Sequence, residues 1–83
     1  MPLAVRTLFF AAYRDLAGSS SLDLELPEGA TVGDLVASLR ARGGPLAELP
    51  PRPAVALNRS YARLEDRLHT GDEVALIPPV AGG

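Results

Sequence analysis

The 83-residue chain contains no cysteine, no lysine and a single histidine. The lack of cysteine excludes disulfides, thiolate metal sites and cysteine nucleophiles, and it favours a cytoplasmic location. All eight basic residues are arginine, so no side-chain amine is available for an isopeptide bond. The sequence therefore has few of the side chains on which covalent chemistry usually depends.

Long apolar runs and an excess of basic charge are also missing. No run approaches the roughly 20 apolar residues that cross a bilayer, and no segment resembles a secretory leader. Ten acidic and eight basic residues give a net charge of -2, whereas a nucleic-acid-binding domain usually carries a basic stripe. We therefore expect one globular domain without a membrane or nucleic-acid partner.

The first strand is predicted over residues 3–10, where β-branched and aromatic side chains surround Arg6. Because Arg6 should face water, Val5, Thr7 and Phe9 are expected to point to the core. Leu8 and Phe10 then share the outer face with Arg6. Residues 11–21 are small and polar, and we interpret them as a connection. A second strand over residues 22–26 alternates leucine with acidic residues.

One helix is predicted over residues 31–42. Thr31 is a candidate N-cap with Asp34 three positions later, a pattern that resembles a capping box. Its apolar positions recur at helical spacing. Residues 46–53 are a proline-rich loop, residues 54–58 are a third strand, and a brief strand is possible around Tyr61. Residues 73–77 form the last strand, with Val74 and Leu76 pointing inward.

This order of elements predicts an α+β fold in which one main helix packs across one face of a mixed sheet. That architecture is the β-grasp, or ubiquitin-like, fold. We place the β-grasp domain at residues 1–77 and a flexible C-terminal tail, ending in Gly-Gly, at residues 78–83. Two consecutive prolines at the start of the tail cannot continue a sheet interior.

No catalytic constellation can be assembled from the remaining side chains. His69 lies in a predicted turn, and the serines have no second histidine with which to form a nucleophile–base pair. Asp72 and Glu73 are adjacent in a strand and should point to opposite faces. No group of residues has the spacing of a metal site, so none is expected.

Two features remain. Leu8, Phe10 and Ile77 are predicted to form an apolar patch on the sheet face opposite the helix, a kind of surface that marks partner binding. The alternative is that Phe10 folds under residues 11–21. The tail is the second feature. Gly82 and Gly83 have no Cβ, so this end of the chain can enter a narrow channel, although an inert, disordered end is the alternative.

Two segments of the sequence are familiar. The first comprises Leu8-Phe9-Phe10-Ala11 followed by Arg14-Asp15-Leu16 and Gly18, and the second is residues 71–83, GDEVALIPPVAGG. Both resemble the small subunit of molybdopterin synthase, and the likeness extends over almost the whole chain. The closing block is the more specific of the two, since it combines Gly-Asp-Glu before a strand with Pro-Pro and a terminal Gly-Gly.

The resemblance implies a non-catalytic sulfur carrier of β-grasp fold. A ubiquitin-activator-like adenylyltransferase uses ATP with Mg to adenylate the terminal carboxylate, here that of Gly83. A sulfurtransferase or desulfurase then supplies the sulfur of a thiocarboxylate. The large subunit, with which the family forms a heterotetramer, receives the tail and transfers the sulfur to a pterin precursor. No cofactor is expected to be bound by the carrier itself.

The same resemblance assigns roles to particular residues. Gly83 is implied as the carrier of sulfur. Phe10, Tyr61 and Ile77 match the apolar positions that the family uses against its partners, and with Leu8 they make up the predicted docking patch. The segment that threads the partner's channel is implied to be Pro78, Pro79, Val80, Ala81 and Gly82.

Three other functions stay open at this stage. The chain could carry sulfur for thiazole synthesis or tRNA thiolation, it could be a ubiquitin-like modifier attached to lysines of other proteins, or it could be an interaction module with an inert tail.

Overall fold

A five-stranded mixed sheet organises the chain, and a computed structural model describes it over residues 1–79. The strands lie in the order β2-β1-β5-β3-β4. Strands β1 and β5 are parallel, whereas the other neighbouring pairs are antiparallel. The strands are β1 Leu3–Phe9, β2 Ser21–Leu26, β3 Ala54–Leu57, β4 Ser60–Ala62 and β5 Glu73–Ile77.

Helix α2, Val32–Ala41, is the main helix predicted from the sequence. The predicted capping box is present: Thr31 Oγ1 accepts a hydrogen bond of 3.1 Å from the Asp34 backbone N–H. In return, Asp34 Oδ2 accepts one of 2.9 Å from the Thr31 backbone N–H. These bonds satisfy amide groups that would have no partner inside the helix. The inward stripe is buried, with the residues Val32, Leu35, Val36 and Leu39 at most 1% exposed.

The alternation predicted for β1 is confirmed. Leu3, Val5, Thr7 and Phe9 are buried, while Arg6 is exposed. The inward side chains of β5, Val74 and Leu76, have no solvent-exposed surface. One face of the sheet thus forms the core with α2. The prediction of an α+β fold of β-grasp type is correct.

The interpretation of residues 11–21 as a connection is wrong over its first part. Residues Ala11–Ala17 form a short helix, α1, and Gly18 ends it in the left-handed conformation at φ 72°. Alanine is the best helix former, and Tyr13, Leu16 and Ala17 follow helical spacing toward the core. The segment is only two turns long, too short for its periodicity to stand out in the sequence. A 3₁₀ helix, Gly44–Glu48, occupies the first part of the α2–β3 connection.

Thr7 carries a buried hydroxyl with no hydrogen-bond partner among residues 1–79. Valine has nearly the same shape but does not leave a polar atom unpaired. We therefore expect Thr7→Val to raise the free energy of unfolding by about 1 kcal/mol, measured by urea denaturation. Thr31→Val is the matched control, since the same change at the N-cap should lower stability by about 1 kcal/mol. A loss of stability in Thr7→Val would contradict the assignment of an unpaired hydroxyl.

Candidate functional site

The sheet face opposite α2 carries a row of apolar side chains that crosses four strands. Leu8 of β1 lies opposite Ala75 of β5, Ala75 lies opposite Ala56 of β3, and Ala56 lies opposite Tyr61 of β4. Residues directly opposite each other in a sheet share a face, so the four side chains form one continuous strip. Within residues 1–79 no helix covers this strip, because the apolar side chains of α1 and α2 pack into the core on the other face.

Ile77 and Phe10 extend the strip toward the end of β5. Ile77 pairs with Ala54 and is half-buried. Phe10 is 50% exposed and has an extended backbone, one position beyond the pair formed by Phe9 and Leu76. Phe10 therefore does not fold under the following segment. We call Leu8, Phe10, Tyr61 and Ile77, with the alanines between them, the open-face patch.

Exposure is uneven across the open-face patch. Tyr61 is 83% exposed, whereas Leu8 and Ile77 are half-buried against their neighbours. Large exposed aromatic residues on a flat apolar face are typical of protein interfaces, where their burial supplies much of the binding energy. The structure thus brings the four predicted docking residues onto one face, and their use by a partner stays a prediction.

Charged side chains lie on the same face toward the start of β5. Arg6 lies opposite Glu73 on one side and Asp23 on the other. Its Nε donates to Asp23 Oδ1 at 3.1 Å, and both side chains are mostly exposed. Exposed ion pairs contribute little to stability. They do, however, give the apolar strip a polar border on this side, as interfaces commonly have.

A hydrogen-bond network fixes the β3–β4 hairpin that presents Tyr61. Asn58 and Arg59 form the turn at φ 50° and 73°, the positive values typical of a two-residue hairpin. Asn58 Nδ2 donates to Asp72 Oδ1 at 2.9 Å, and Asn58 Oδ1 accepts from the Glu73 N–H at 2.9 Å. Asp72 Oδ2 also accepts from the His69 N–H at 2.7 Å. Asp72 therefore has a structural role in this motif.

Removing this network should destabilise the fold measurably. We expect Asn58→Ala to lower the free energy of unfolding by about 1–3 kcal/mol, because the Asp72 carboxylate and the Glu73 amide each lose a partner. Urea denaturation measures the change. Arg59→Gly is the control at the adjacent position, where glycine adopts the positive φ without a Cβ clash and stability should not fall. Equal stability of Asn58→Ala and the parent would mean that the network is dispensable.

The predicted carrier tail lies only partly within the described residues. Pro78 is half-buried and Pro79 is exposed, and neither belongs to a strand. Val80, Ala81, Gly82 and Gly83 lie outside the described residues. Within residues 1–79 there is no group of three or more His, Cys, Asp or Glu side chains that could hold a metal ion. None of the helices in this part of the chain is long and apolar enough to span a membrane.

Sequence reasoning missed a groove at the root of the tail, by which we mean Pro78 and Pro79. The residues that line it include Tyr13, Arg52 and Pro79. Tyr13 reaches it from α1, a helix that was not predicted. Burial removes water from the Tyr13 phenol and raises its pKa above the usual value of 10.0. The spacing of Tyr13, Leu16 and Ala17 is a signal for α1 itself, but it does not indicate that Tyr13 meets Arg52 and Pro79.

Comparison with known proteins places the chain among sulfur carriers. The family model described as the ThiS family matches residues 7–83, which is almost the whole sequence. The chain belongs to the ThiS family. It is 39% identical over 83 residues to the molybdopterin synthase sulfur carrier subunit of Chlamydomonas reinhardtii, with 98% of this chain and 100% of that protein covered. The resemblance seen in the sequence is therefore confirmed.

Two further comparisons add detail about this ThiS-family chain. It is 37% identical over 86 residues to small archaeal modifier protein 3 of Haloferax volcanii, with 90% of this chain and 94% of that protein covered. Its fold matches a chain of the complex of subunits 1 and 2 of molybdopterin-converting factor from Helicobacter pylori 26695. That match has a TM-score of 0.69 and 27% identity, and it covers 98% of this chain and 100% of the other.

Proposed function

We propose that this chain is the sulfur carrier subunit of a molybdopterin synthase and that the carboxyl group of Gly83 carries the sulfur. The observation that carries the proposal is the 39% identity with the Chlamydomonas reinhardtii subunit, which extends over 98% of this chain and 100% of that protein. The family model also runs through Gly83. A cytoplasmic location is part of the proposal, supported by the lack of cysteine.

The proposed chemistry begins with activation of the carboxylate. An oxygen of Gly83 attacks the α-phosphorus of ATP held with Mg by a ubiquitin-activator-like adenylyltransferase, and pyrophosphate leaves. A thiol reduces the persulfide of a sulfurtransferase or desulfurase and releases hydrosulfide, forming a disulfide. The hydrosulfide then attacks the carbonyl carbon, and AMP leaves with one carboxyl oxygen. The product is a thiocarboxylate, a nucleophile that the carrier itself holds in covalent form.

The second stage is the transfer of sulfur to a pterin precursor, cyclic pyranopterin monophosphate, in the large subunit. The thiocarboxylate sulfur attacks a carbon of the precursor, a C–O bond at that carbon breaks, and its oxygen substituent leaves. Water then hydrolyses the acyl–sulfur bond, which returns the carboxylate to Gly83 and leaves the sulfur on the precursor. Segment 78–82 threads the channel of the large subunit, and the open-face patch docks against it. The likeness to a chain of a complex of subunits 1 and 2 supports a partner of this kind.

The carrier needs no acids or bases of its own in this scheme. The carrier contributes by positioning the thiocarboxylate. Once the open-face patch is docked, the reacting carbon is held near the precursor, and a bimolecular reaction becomes effectively unimolecular. The lack of lysine is also consistent with the scheme, because the activated carboxyl group meets no side-chain amine of its own chain. Catalytic groups are therefore assigned to the partner enzymes.

Intact mass spectrometry tests the carrier function directly. The chain is incubated with its adenylyltransferase, ATP, Mg and a sulfur donor, and its mass is compared with that of the starting protein. We expect a gain equal to the difference between one sulfur and one oxygen atom, and no gain when ATP is left out. An unchanged mass with active enzyme and donor would refute the proposed function.

A second function, attachment to other proteins, is favoured by the likeness to small archaeal modifier protein 3. The same adenylate of Gly83 would then react with a lysine amine instead of a sulfur nucleophile. Digestion of the cell's proteins and a mass-spectrometric search for lysines bearing the C-terminal glycines tests it. If such peptides are found, the chain is a protein modifier. If none is found while the thiocarboxylate is detected, the chain acts only as a sulfur carrier.

A further inference from the structure

The root of the tail borders a groove of 280 Å³ on the rim of the sheet. Elements from four parts of the chain meet there: α1, the proline-rich segment before β3, the end of β5 and the first residues after it. Its walls are largely apolar, and Ile77 belongs both to the groove and to the open-face patch. The side chains that line the groove include Tyr13, Pro50, Arg52, Pro53, Ile77 and Pro79.

Tyr13 supplies a polar group whose hydrogen-bonding capacity is not used within residues 1–79. The residue is 6% exposed, and its hydroxyl makes no hydrogen bond to other residues in this range. Thr7 Oγ1 is the only fully enclosed side-chain oxygen or nitrogen without a partner in this part of the chain. The Tyr13 hydroxyl therefore reaches solvent. A phenol is protonated at neutral pH and can donate a hydrogen bond, and burial raises the pKa of Tyr13 further from neutrality.

Arg52 supplies a positive charge at the same groove. The residue is exposed, and no carboxylate of residues 1–79 lies within 4.0 Å of its guanidinium. Among residues 1–79, none of those that line the groove is acidic. An arginine can donate two parallel hydrogen bonds to a carboxylate, and such bonds are stronger than those between neutral groups. The groove thus combines a guanidinium and a phenol, and no acidic side chain of residues 1–79 neutralises the guanidinium there.

We propose that Tyr13 and Arg52 form a carboxylate-binding notch that takes an aspartate or glutamate side chain of the large subunit. The notch rests on the proposed function, since the large subunit is the protein assigned to receive the tail. A single guanidinium matches a single carboxylate in charge, and the Tyr13 hydroxyl can satisfy a further lone pair of the same group.

The position of the notch gives it a purpose in sulfur transfer. Pro79 lines the groove, and the segment that carries Gly83 begins directly after it. A carboxylate held by Tyr13 and Arg52 therefore fixes the root of the tail, while the open-face patch fixes the sheet. Together, the contact at the notch and the contact at the open-face patch would set the direction of the tail relative to the large subunit. One contact alone would leave the carrier free to rotate about it.

The test measures the dissociation constant of the complex between the full chain and the molybdopterin synthase large subunit. We expect Arg52→Gln to weaken binding about 10-fold, the loss of a charge-assisted hydrogen bond. We expect Tyr13→Phe to weaken it about fivefold. The double variant should lose less than the product of the two, because both side chains act on one carboxylate.

The controls separate a bound carboxylate from a structural effect. Arg67→Gln removes an equally exposed arginine that lies near Met1 and Glu28, outside the groove, and should leave the dissociation constant unchanged. Raising the salt concentration should weaken the parent complex more than the Arg52→Gln complex, since only the parent retains the ion pair. Thermal unfolding of each variant shows whether it is folded.

Each outcome decides the matter. Parent-like binding by folded Arg52→Gln and Tyr13→Phe overturns the notch while leaving the sulfur-carrier function intact. Multiplicative losses in the double variant also overturn it, because the two residues would then act on separate groups. If the variants bind normally but acquire the thiocarboxylate more slowly, the groove serves the adenylylating enzyme and the assignment to the large subunit is wrong. Failure of the parent chain to bind the large subunit contradicts the proposed function and the notch together.

Discussion

Deletion of Gly83 is expected to abolish thiocarboxylate formation on this chain and, with it, sulfur transfer to the pterin precursor. The deletion leaves a carboxylate on Gly82, so the reactive group is retained but displaced. One residue of extended chain spans about 3.3–3.6 Å. Reacting atoms must approach to about 3–3.5 Å, and a misplacement of 1 Å can reduce a rate about 100-fold. A displacement of one residue therefore removes the carboxylate from the site of adenylation.

The measurement is the intact mass of the shortened chain after reaction with the adenylyltransferase, ATP, Mg and sulfur donor. The deletion removes no residue of the five strands or three helices found within residues 1–79, so its urea unfolding curve should match that of the parent. Gly83→Ala is the informative companion. It keeps the carboxylate at the original distance and adds only a methyl group, so it should react slowly instead of not at all. Sulfur loading of the deletion variant at the parent rate would disprove the assignment of Gly83.

The alternation of single residues made much of the fold predictable from the sequence. Arg6, placed inside an apolar run, fixes which side chains of β1 face water, and the buried set Leu3, Val5, Thr7 and Phe9 follows from it. The capping pair Thr31 and Asp34 likewise marks the start of α2 through a local hydrogen-bonding pattern. Strand alternation and the capping box are predictable from the sequence because each depends only on residues a few positions apart in one segment.

The parts that were missed depend on contacts between distant segments. Helix α1 has only two turns, and the burial of Tyr13 against the rest of the core helps to hold it in place. Packing of this kind can stabilise a segment whose own helical tendency is marginal. The groove at the root of the tail assembles Tyr13, Arg52 and Pro79 from three separate segments. Local patterns in the sequence do not report such a meeting.

The docking patch combines both kinds of information. Parity placed Leu8 on the outer face, and the strand order then joined it to Tyr61 through Ala75 and Ala56. The sequence alone does not give that order, since β5 is the last strand in the chain yet lies at the centre of the sheet. The central position of β5 also places Pro78 and Pro79, the described start of the tail, directly after Ile77 of the open-face patch.

Replacing Phe10 with aspartate is expected to weaken binding to the large subunit at least about 100-fold. Truncating a central aromatic side chain of an interface costs about 2–4 kcal/mol, and an unpaired carboxylate buried in its place adds a further penalty. The measurement is the dissociation constant by calorimetry. Phe10→Ala separates the two contributions, since it removes the ring without adding a charge and should fall between the parent and Phe10→Asp.

Position 10 makes this substitution unusually selective for binding over folding. Phe10 is the N-cap of α1, and its side chain makes no capping hydrogen bond. Aspartate is among the preferred N-cap residues and interacts favourably with the positive end of a helix. Phe10→Asp should therefore keep or slightly raise the free energy of unfolding while binding collapses. Ala37→Asp adds the same charge to an exposed position of α2, on the other side of the sheet, and should bind as the parent does. Normal binding by Phe10→Asp would show that the large subunit docks elsewhere. The variant is folded and keeps its tail, so unchanged binding would mean that the complex needs no apolar contact at Phe10.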